Sequence, residues 1–227
     1  MSSKGSYLLA NETPYDALCH YFNVSSPRVI DYFTIPTVLS MSVRNSNGQS
    51  LMPTHILAAI PTNPNPSHPV PPILLPINAT LYQRGFDSDA EFLSAGSTTL
   101  AYTSTTITLP VIQFPVPHPP SLSLLLLFAM RLETQHGGLG NNLLPTDIIG
   151  NFPDQLAMAS SLAAKKQVEF DRVYGFVQGV WHNILALGYR DGAGGGVKIV
   201  ELVKNVRKVV GAGARIRQGL PAFPESH

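Results

Sequence analysis

The sequence predicts an α+β fold, in which a small mixed sheet from the N-terminal half is packed by four to five helices, mostly from the C-terminal half. Thirteen of the twenty prolines lie between Pro53 and Pro120, and none lies between Pro153 and Pro221. Because proline interrupts helices, the first two thirds of the chain should be extended and rich in turns, whereas the last third is free to be helical. The spacing of apolar residues changes in the same direction, from every second residue to every third or fourth.

The first two strands are predicted between residues 38 and 60. Residues 38–43 alternate between two faces, with Leu39 and Met41 on one of them, which is the spacing of a strand. The Asn-Ser-Asn-Gly run at residues 45–48 is typical of a turn. A second strand follows at residues 55–60, so the pair is predicted to form a hairpin with a longer loop.

A proline-rich loop and a third strand come next. Residues 61–72 contain six prolines and are expected to form an exposed loop of polyproline type. Residues 105–114 are rich in Thr, Ile and Val and predict a further strand. Pro110 suggests that this strand lies at a sheet edge, because proline cannot donate a ladder hydrogen bond.

The predicted helices begin after the last of these prolines. Ser121 is the predicted N-cap of a helix over residues 122–132, with Arg131 near its end, where the helix dipole favours a cation. Residues 137–142, all Gly, Asn or Leu, are predicted to form a loop. Pro153 is then predicted to open a second helix in its first turn, running to about Lys165.

The strongest helix pattern covers residues 168–187. Gly175 and Gly179 interrupt it and are expected to mark close approach of another backbone. A glycine-rich break at residues 191–196 precedes a last helix over residues 197–210. The apolar stripe of the long helix consists of Phe170, Val173, Val177, Val180, Trp181, Ile184 and Leu187. In the last helix, Val200, Val203, Val206 and Val210 are predicted to face inward and Lys204, Arg207 and Lys208 outward.

The chain is predicted to hold one main domain. An N-terminal segment covers residues 1–36, and a single α+β domain covers residues 37–217, including the proline-rich loop at 61–72. Residues 218–227 are expected to be a flexible tail. A chain of 227 residues is long enough to bury a core without disulfides or metals.

Composition excludes several classes of protein. Hydrophobic residues make up 44% and charged residues 13%, which argues against disorder for most of the chain. The net charge of +1 argues against a surface built as a whole for nucleic acid, so direct nucleic-acid binding is not expected. The single cysteine, Cys19, excludes an internal disulfide framework and is expected to be a small buried apolar residue.

We also expect an intracellular protein, in the nucleus or the cytoplasm. The N-terminus lacks the apolar run of a secretory signal. The longest apolar stretch, residues 122–130, is much shorter than the roughly 20 residues of a membrane helix, so no membrane association is expected.

Signatures of enzymes and cofactors are mostly absent from the sequence. There is no Gly-x-Ser-x-Gly elbow and no His-Glu-x-x-His pair, and the seven histidines are scattered. The acidic run at residues 87–91 lacks the turn glycine of a calcium loop, and the glycines at 192–196 are not followed by Gly-Lys-Ser/Thr. The sequence therefore predicts no catalytic residue, cofactor or metal. An enzyme with an unmarked site stays open, with His55, His182 and Asp191 as its candidate titratable groups.

Two features suggest a surface that binds other proteins. Six of the fifteen positive charges lie between Lys198 and Arg217, where Glu201 is the only acid, so this helix is either a solvated face or a surface for an acidic partner. Trp181 and Tyr174 lie on or beside the apolar stripe and are of the types that anchor interfaces. The candidate contact residues are Tyr174, Trp181, Lys204, Arg207 and Lys208.

Some stretches of the chain also carry a family resemblance. Residues 73–82, 107–110 and 116–128 form one block, and residues 176–188 with 200–203 form another. Together they resemble the clampless protein family of basidiomycete fungi, over residues 37–217. The resemblance implies a non-enzymatic regulator of clamp-cell formation and sexual development that acts through contacts with other proteins, among them transcriptional regulators.

A fainter similarity concerns the fold. A strand ending in Leu-Pro, followed by the apolar helix at residues 121–128, is similar to the strand and helix of BTB/POZ domains. Here Arg131-Leu-Glu-Thr follows the helix instead of Tyr-Thr-Gly. This similarity implies the alternative function, a dimerising or adaptor module, and leaves a homo-oligomer open.

Overall fold

The computed structural model describes residues 6–8, 12–26, 35–44, 51–64, 71–86, 101–103, 105–189 and 198–223. Six of the eight helices in these residues follow the last strand, which confirms the predicted α+β class. The strands are β1 (Val38–Ser42), β2 (His55–Pro61), β3 (Ile73–Ile77), β4 (Ala101–Tyr102) and β5 (Thr106–Val116). The helices are α1 (Pro14–Tyr21), α2 (Ala79–Gly85), α3 (Pro119–Ala129), α4 (His136–Leu143), α5 (Thr146–Ile149), α6 (Gln155–Ala163), α7 (Gln167–Leu187) and α8 (Ile199–Arg217).

The strands form one mixed sheet in the order β1-β5-β2-β3, with β4 also paired to β5. The first half of β5 runs antiparallel to β1, and its second half runs parallel to β2. The predicted hairpin between β1 and β2 is therefore wrong. In the sheet order β5 lies between these two strands, and its eleven residues are long enough to pair with both.

The prediction of an edge position for Pro110 is also wrong, because β5 lies inside the sheet. Val111 donates its N–H to the Thr37 carbonyl on the β1 side, at 2.8 Å. Since N–H groups alternate along a strand, the nitrogen of Pro110 faces the opposite side. On that side the ladder with β4 ends at Thr108 and the ladder with β2 begins at Val111, so Pro110 occupies a gap where no donor is needed.

Helix α3 is the apolar centre of the molecule and contacts α1, α2, α7, β2 and β3. Its residues from Ser121 to Ala129 are all buried. The prediction of Ser121 as N-cap is wrong, because Pro119 and Pro120 already form the first turn and His118 holds the cap position. The helix also ends two residues before Arg131, which has a left-handed φ of 56°.

The short helices α4 to α6 depart from the predicted boundaries. The loop predicted at residues 137–142 is wrong, because α4 forms there and buries Leu139 and Leu143 one turn apart. Packing of these leucines outweighs the low helix propensity of the glycines. Helix α6 begins at Gln155 and not at Pro153, since the Asp154 carboxylate caps it by accepting the N–H groups of Leu156 and Ala157, both at 3.0 Å.

The two long helices follow the predicted amphipathic pattern. In α7 the apolar stripe is buried apart from Trp181, which is half-buried. A Cβ at position 179 would lie 2.2 Å from the His118 ring, so the close approach there is made by a side chain and not by the predicted backbone. A Cβ at position 175 would meet nothing within 4 Å among the described residues. The expectation for Gly175 is therefore wrong. Helix α8 continues seven residues past Val210, because Ala212 and Gly213 are buried against the neighbouring helices.

Helix α1 packs on α3 and β3 and buries Leu18 and Cys19 completely. Burial raises the pKa of the Cys19 thiol to about 11, in agreement with an apolar role. The buried Glu133 joins this region to α4, since its Oε1 accepts the N–H groups of Thr134 and Gln135 at 2.9 and 3.0 Å. Its Oε2 accepts the hydroxyl groups of Ser6 and Tyr21. The domain limits at residues 37 and 217 stay a prediction.

Several predicted features lie outside the described residues. They are the turn at residues 45–48, residues 65–70 of the proline-rich loop, the acidic run at 87–91, the glycine-rich break at 191–196, and the end of the tail at 224–227. None of the helices in the described part of the chain is long and apolar enough to span a membrane.

Candidate protein-interaction surface

Trp181 contacts two basic side chains of α8 at the edge of the helical half. The guanidinium carbon of Arg207 lies 4.7 Å from the centre of the Trp181 ring, and Lys204 Nζ lies 5.9 Å from it. Arg207 Nε donates a hydrogen bond to Gln178 Oε1, at 3.1 Å. Cations within about 6 Å of an indole ring are attracted to its electron-rich face. We define the Trp181 face as Gln178, Trp181, Lys204, Arg207 and Lys208.

The amphipathic pattern of α8 places these cations. Val203, Val206 and Val210 are buried, as predicted, and Val200 is half-buried. Turned away from them, Lys204 and Lys208 are exposed and Arg207 is half-buried against α7. The helix therefore buries its apolar stripe and leaves its cations at the surface.

The structure brings three of the five predicted contact residues together. The Trp181 ring contacts Lys204 and Arg207, and Lys208 lies one helical turn beyond Lys204. Tyr174 lies two turns before Trp181 on the same helix edge, because seven residues complete two turns. It is 38% exposed, and its ring stacks on Phe170 with 6.0 Å between ring centres.

The other cations in and just before α8 bind groups of the chain itself. Arg217 donates to the carbonyls of Ala163 and Lys165 at 2.7 and 2.8 Å, and so satisfies the C-terminal end of α6. Arg215 donates to the Pro221 carbonyl at 2.8 Å, and Lys198 pairs with Glu201. The six positive charges counted in the sequence thus have different roles, and those of the Trp181 face are turned outward.

An apolar groove lies on the other side of α8, between that helix and α4 to α6. Its volume is about 350 Å³, and its lining includes Leu144, Met158, Leu202 and Val206. Phe152 stands at this groove with 75% of its surface exposed. Sequence reasoning missed the groove, because only the packing of α8 against α4, α5 and α6 shows that a gap remains between these four helices. The aromatic residue in the Gly-Asn-Phe-Pro turn was the one available signal.

A buried polar junction connects α7 to the start of α3. Asn183 is fully buried, and its Oδ1 accepts the N–H of His118 at 3.0 Å. Its Nδ2 donates to the His118 carbonyl at 2.8 Å and to Ser121 Oγ at 3.1 Å. Gly179 and Phe176 enclose the His118 ring. The sequence signal for this junction was an asparagine between buried positions of the α7 stripe.

The chain should lose stability as the pH is lowered through 6.5. Burial lowers the pKa of both His55 and His118 below 6.5, and nearby His182 lowers that of His118 further. Below pH 6.5 the unfolded chain therefore binds protons that the folded chain excludes, whereas well above it both states are neutral at these sites. Urea unfolding at about pH 7.5 and about pH 5.5 measures the difference. A His55→Gln/His118→Gln variant should show a smaller drop, and an equally steep drop would contradict the assignment.

The candidate groups of the enzyme alternative are placed as follows. His55 is buried at the start of β2, with Nδ1 2.9 Å from Thr54 Oγ1, and its Nε2 has no hydrogen-bond partner among the described residues. His182 is exposed on α7, and Asp191 lies outside the described residues. Among the described residues, no three His, Cys, Asp or Glu side chains form a group that could hold a metal ion.

Comparison with known proteins gives one family match. Residues 8–117 match the family model described as the Clampless protein 1 N-terminal domain. No curated protein matches the chain, and no solved structure does. The BTB/POZ similarity therefore stays a prediction. The Trp181 face, the apolar groove and the body of α3 all lie beyond the matched residues.

Proposed function

Because this chain belongs to the clampless protein family through residues 8–117, we propose that it regulates clamp-cell formation and sexual development by binding other proteins and without catalysing a reaction. The match confirms the family resemblance for the part of the chain up to residue 117, and the resemblance of residues 176–188 and 200–203 stays a prediction. Family membership supports a regulatory role in fungal sexual development in general. The mode of action, through protein contacts, is the part that we propose.

The contact of Trp181 with Lys204 and Arg207 is the observation that carries this proposal. Tryptophan and arginine are enriched among the residues that dominate binding energies at interfaces. Here both sit at the surface, held by α7 and α8, so they are oriented before a partner arrives. Tyr174 and Lys208 extend the same edge and complete the proposed contact set.

Transcriptional regulators of the developmental programme are the proposed partners, met in the nucleus or the cytoplasm. Direct contact with nucleic acid is not part of the proposal, since the whole chain carries a net charge of only +1. The proposed function requires no cofactor.

Replacing Lys204, Arg207 and Lys208 together with alanine should abolish clamp-cell formation without unfolding the protein. Lys204 and Lys208 are exposed, so their loss should change the free energy of unfolding by only about 0.5 kcal/mol each. The variant is expressed in a fungal strain from which the gene has been deleted, and clamp cells are counted. Circular dichroism and thermal unfolding of the purified protein report whether the fold is intact.

A charge-matched control separates the surface from the total charge. Arg84→Ala/Lys166→Ala/Arg172→Ala removes three exposed cations elsewhere and should restore clamp cells as the unchanged chain does. Loss of the fold in the Lys204/Arg207/Lys208 variant would assign these residues to structure. Full complementation by a folded triple variant would remove them from the interface.

A further inference from the structure

The C-terminal helix presents a strip of positive charge that lacks nearby acids. From Leu202 to Phe223 the chain contains five basic residues and no acidic one. Glu201, just before this stretch, is already paired with Lys198 at 3.6 Å. Arg215 and Arg217 donate to backbone carbonyls of the chain itself. The charge left for a partner is therefore concentrated at Lys204, Arg207 and Lys208.

These three cations form no salt bridge with any carboxylate in the described part of the chain. Lys204 and Lys208 are four residues apart and thus lie on neighbouring turns of one face. Arg207 lies beside them, over the Trp181 ring. An unneutralised group of cations on one rigid helix attracts a partner of opposite charge and orients it.

Arg207 is held in one orientation. Its Nε donates a hydrogen bond to Gln178 Oε1, and its guanidinium carbon lies 4.7 Å from the centre of the Trp181 ring. Among the described residues its terminal amino groups donate no hydrogen bond, so both remain for an incoming acceptor. A carboxylate matches this pair of donors, because the two oxygens can accept two parallel hydrogen bonds.

We propose that the Trp181 face binds an acidic peptide segment of a partner protein, an inference that rests on the proposed function. One carboxylate of the segment pairs with Arg207, and carboxylates spaced three or four residues from it pair with Lys204 and Lys208. An apolar side chain of the segment packs on the part of Trp181 that is exposed. Charge complementarity sets the partner class, and the tryptophan supplies the apolar contact.

A peptide fits this face better than a nucleic acid does. Tight duplex binding uses roughly 6–10 phosphate contacts, and the face offers three cations on a chain of net charge +1. The cations also flank an aromatic ring instead of lining an extended track. Short acidic segments with interspersed apolar residues need only a few ion pairs and one apolar contact.

Trp181 is the only tryptophan in the chain, so its fluorescence reports on this face alone. The probe is the synthetic peptide Glu-Glu-Leu-Glu-Glu-Leu-Leu-Glu-Glu-Leu, titrated into the full chain at low salt. We expect a saturable shift of the emission, weakened by added salt. Lys204→Ala/Lys208→Ala, which keeps the reporter, should weaken binding about tenfold, as expected for the loss of two ion pairs. The control Lys166→Ala/Arg172→Ala should bind as the unchanged chain does.

Three results would overturn the inference. They are the absence of a saturable signal, equal binding of the same peptide with Gln in place of every Glu, and tighter binding of a DNA duplex than of the acidic peptide. The proposed function is judged separately. If the peptide fails but the folded Lys204/Arg207/Lys208 variant still loses clamp cells, the face binds a partner of another chemistry. If clamp cells form normally with that variant, the proposed function itself is wrong.

Discussion

Replacing Gly179 with alanine is expected to destabilise the protein by about 3 kcal/mol, near the upper end of the cost of overpacking a core. The added methyl group would lie 2.2 Å from two atoms of the His118 ring. That ring cannot swing away freely, because Nδ1 lies 2.9 Å from Ser121 Oγ and Phe176 packs edge-on against it. Urea unfolding followed by circular dichroism measures the loss.

Gly175, one turn earlier in the same helix, is the matched control. A Cβ there meets none of the described residues within 4 Å, so Gly175→Ala should stabilise the protein by about 1 kcal/mol through helix propensity alone. Combining Gly179→Ala with His118→Ala should recover part of the loss, since the ring atoms are removed but the His118 Cβ would still lie 2.8 Å away. Equal effects of the two glycine substitutions would contradict the close approach of His118 to α7.

Replacing Asn183 with alanine should cost about 3 kcal/mol, because it leaves several buried polar groups without partners. The His118 N–H, the His118 carbonyl and Ser121 Oγ each bond to this amide. Asn183→Asp should recover little, because an aspartate oxygen can accept from His118 but cannot donate to the carbonyl. Urea unfolding of both variants provides the measurement.

Asn205→Ala serves as the comparison for that substitution. Asn205 is an exposed asparagine of α8, so its replacement should change the free energy of unfolding by less than about 0.5 kcal/mol. If Asn183→Ala were as mild as Asn205→Ala, the junction between α3 and α7 would not depend on the asparagine amide.

Local periodicity was sufficient to predict the elements that pack through one continuous stripe. Helix α7 was predicted within one residue at its N-terminus, and the alternation of Leu39 and Met41 gave β1 its buried face. The predictions of strand pairing and of an edge position for Pro110 were wrong, because both depend on residues that are distant in the sequence. The partner of β1 is β5, more than sixty residues away, and Pro110 is tolerated inside the sheet only because two neighbouring ladders stop on either side of it.

The same distinction holds for the candidate site. Trp181, Lys204 and Arg207 were named from residue type and helix position, and the structure places them in contact. Their contact could not be predicted, since it depends on how α7 and α8 are rotated against each other. Asn183 and His118 form a hydrogen bond although they are sixty-five residues apart in the sequence, and no local sequence pattern specifies such a pair.

The burial of α3 has a consequence for where this chain can be cut. The matched stretch ends at residue 117, yet the leucines at 122 and 124 to 127, which are almost completely buried, come immediately afterwards and pack under β2 and β3. A fragment truncated at the end of that stretch would leave the underside of its sheet open to water. We therefore expect that residues 8–117 do not fold on their own, and that the smallest fragment able to fold includes helix α3.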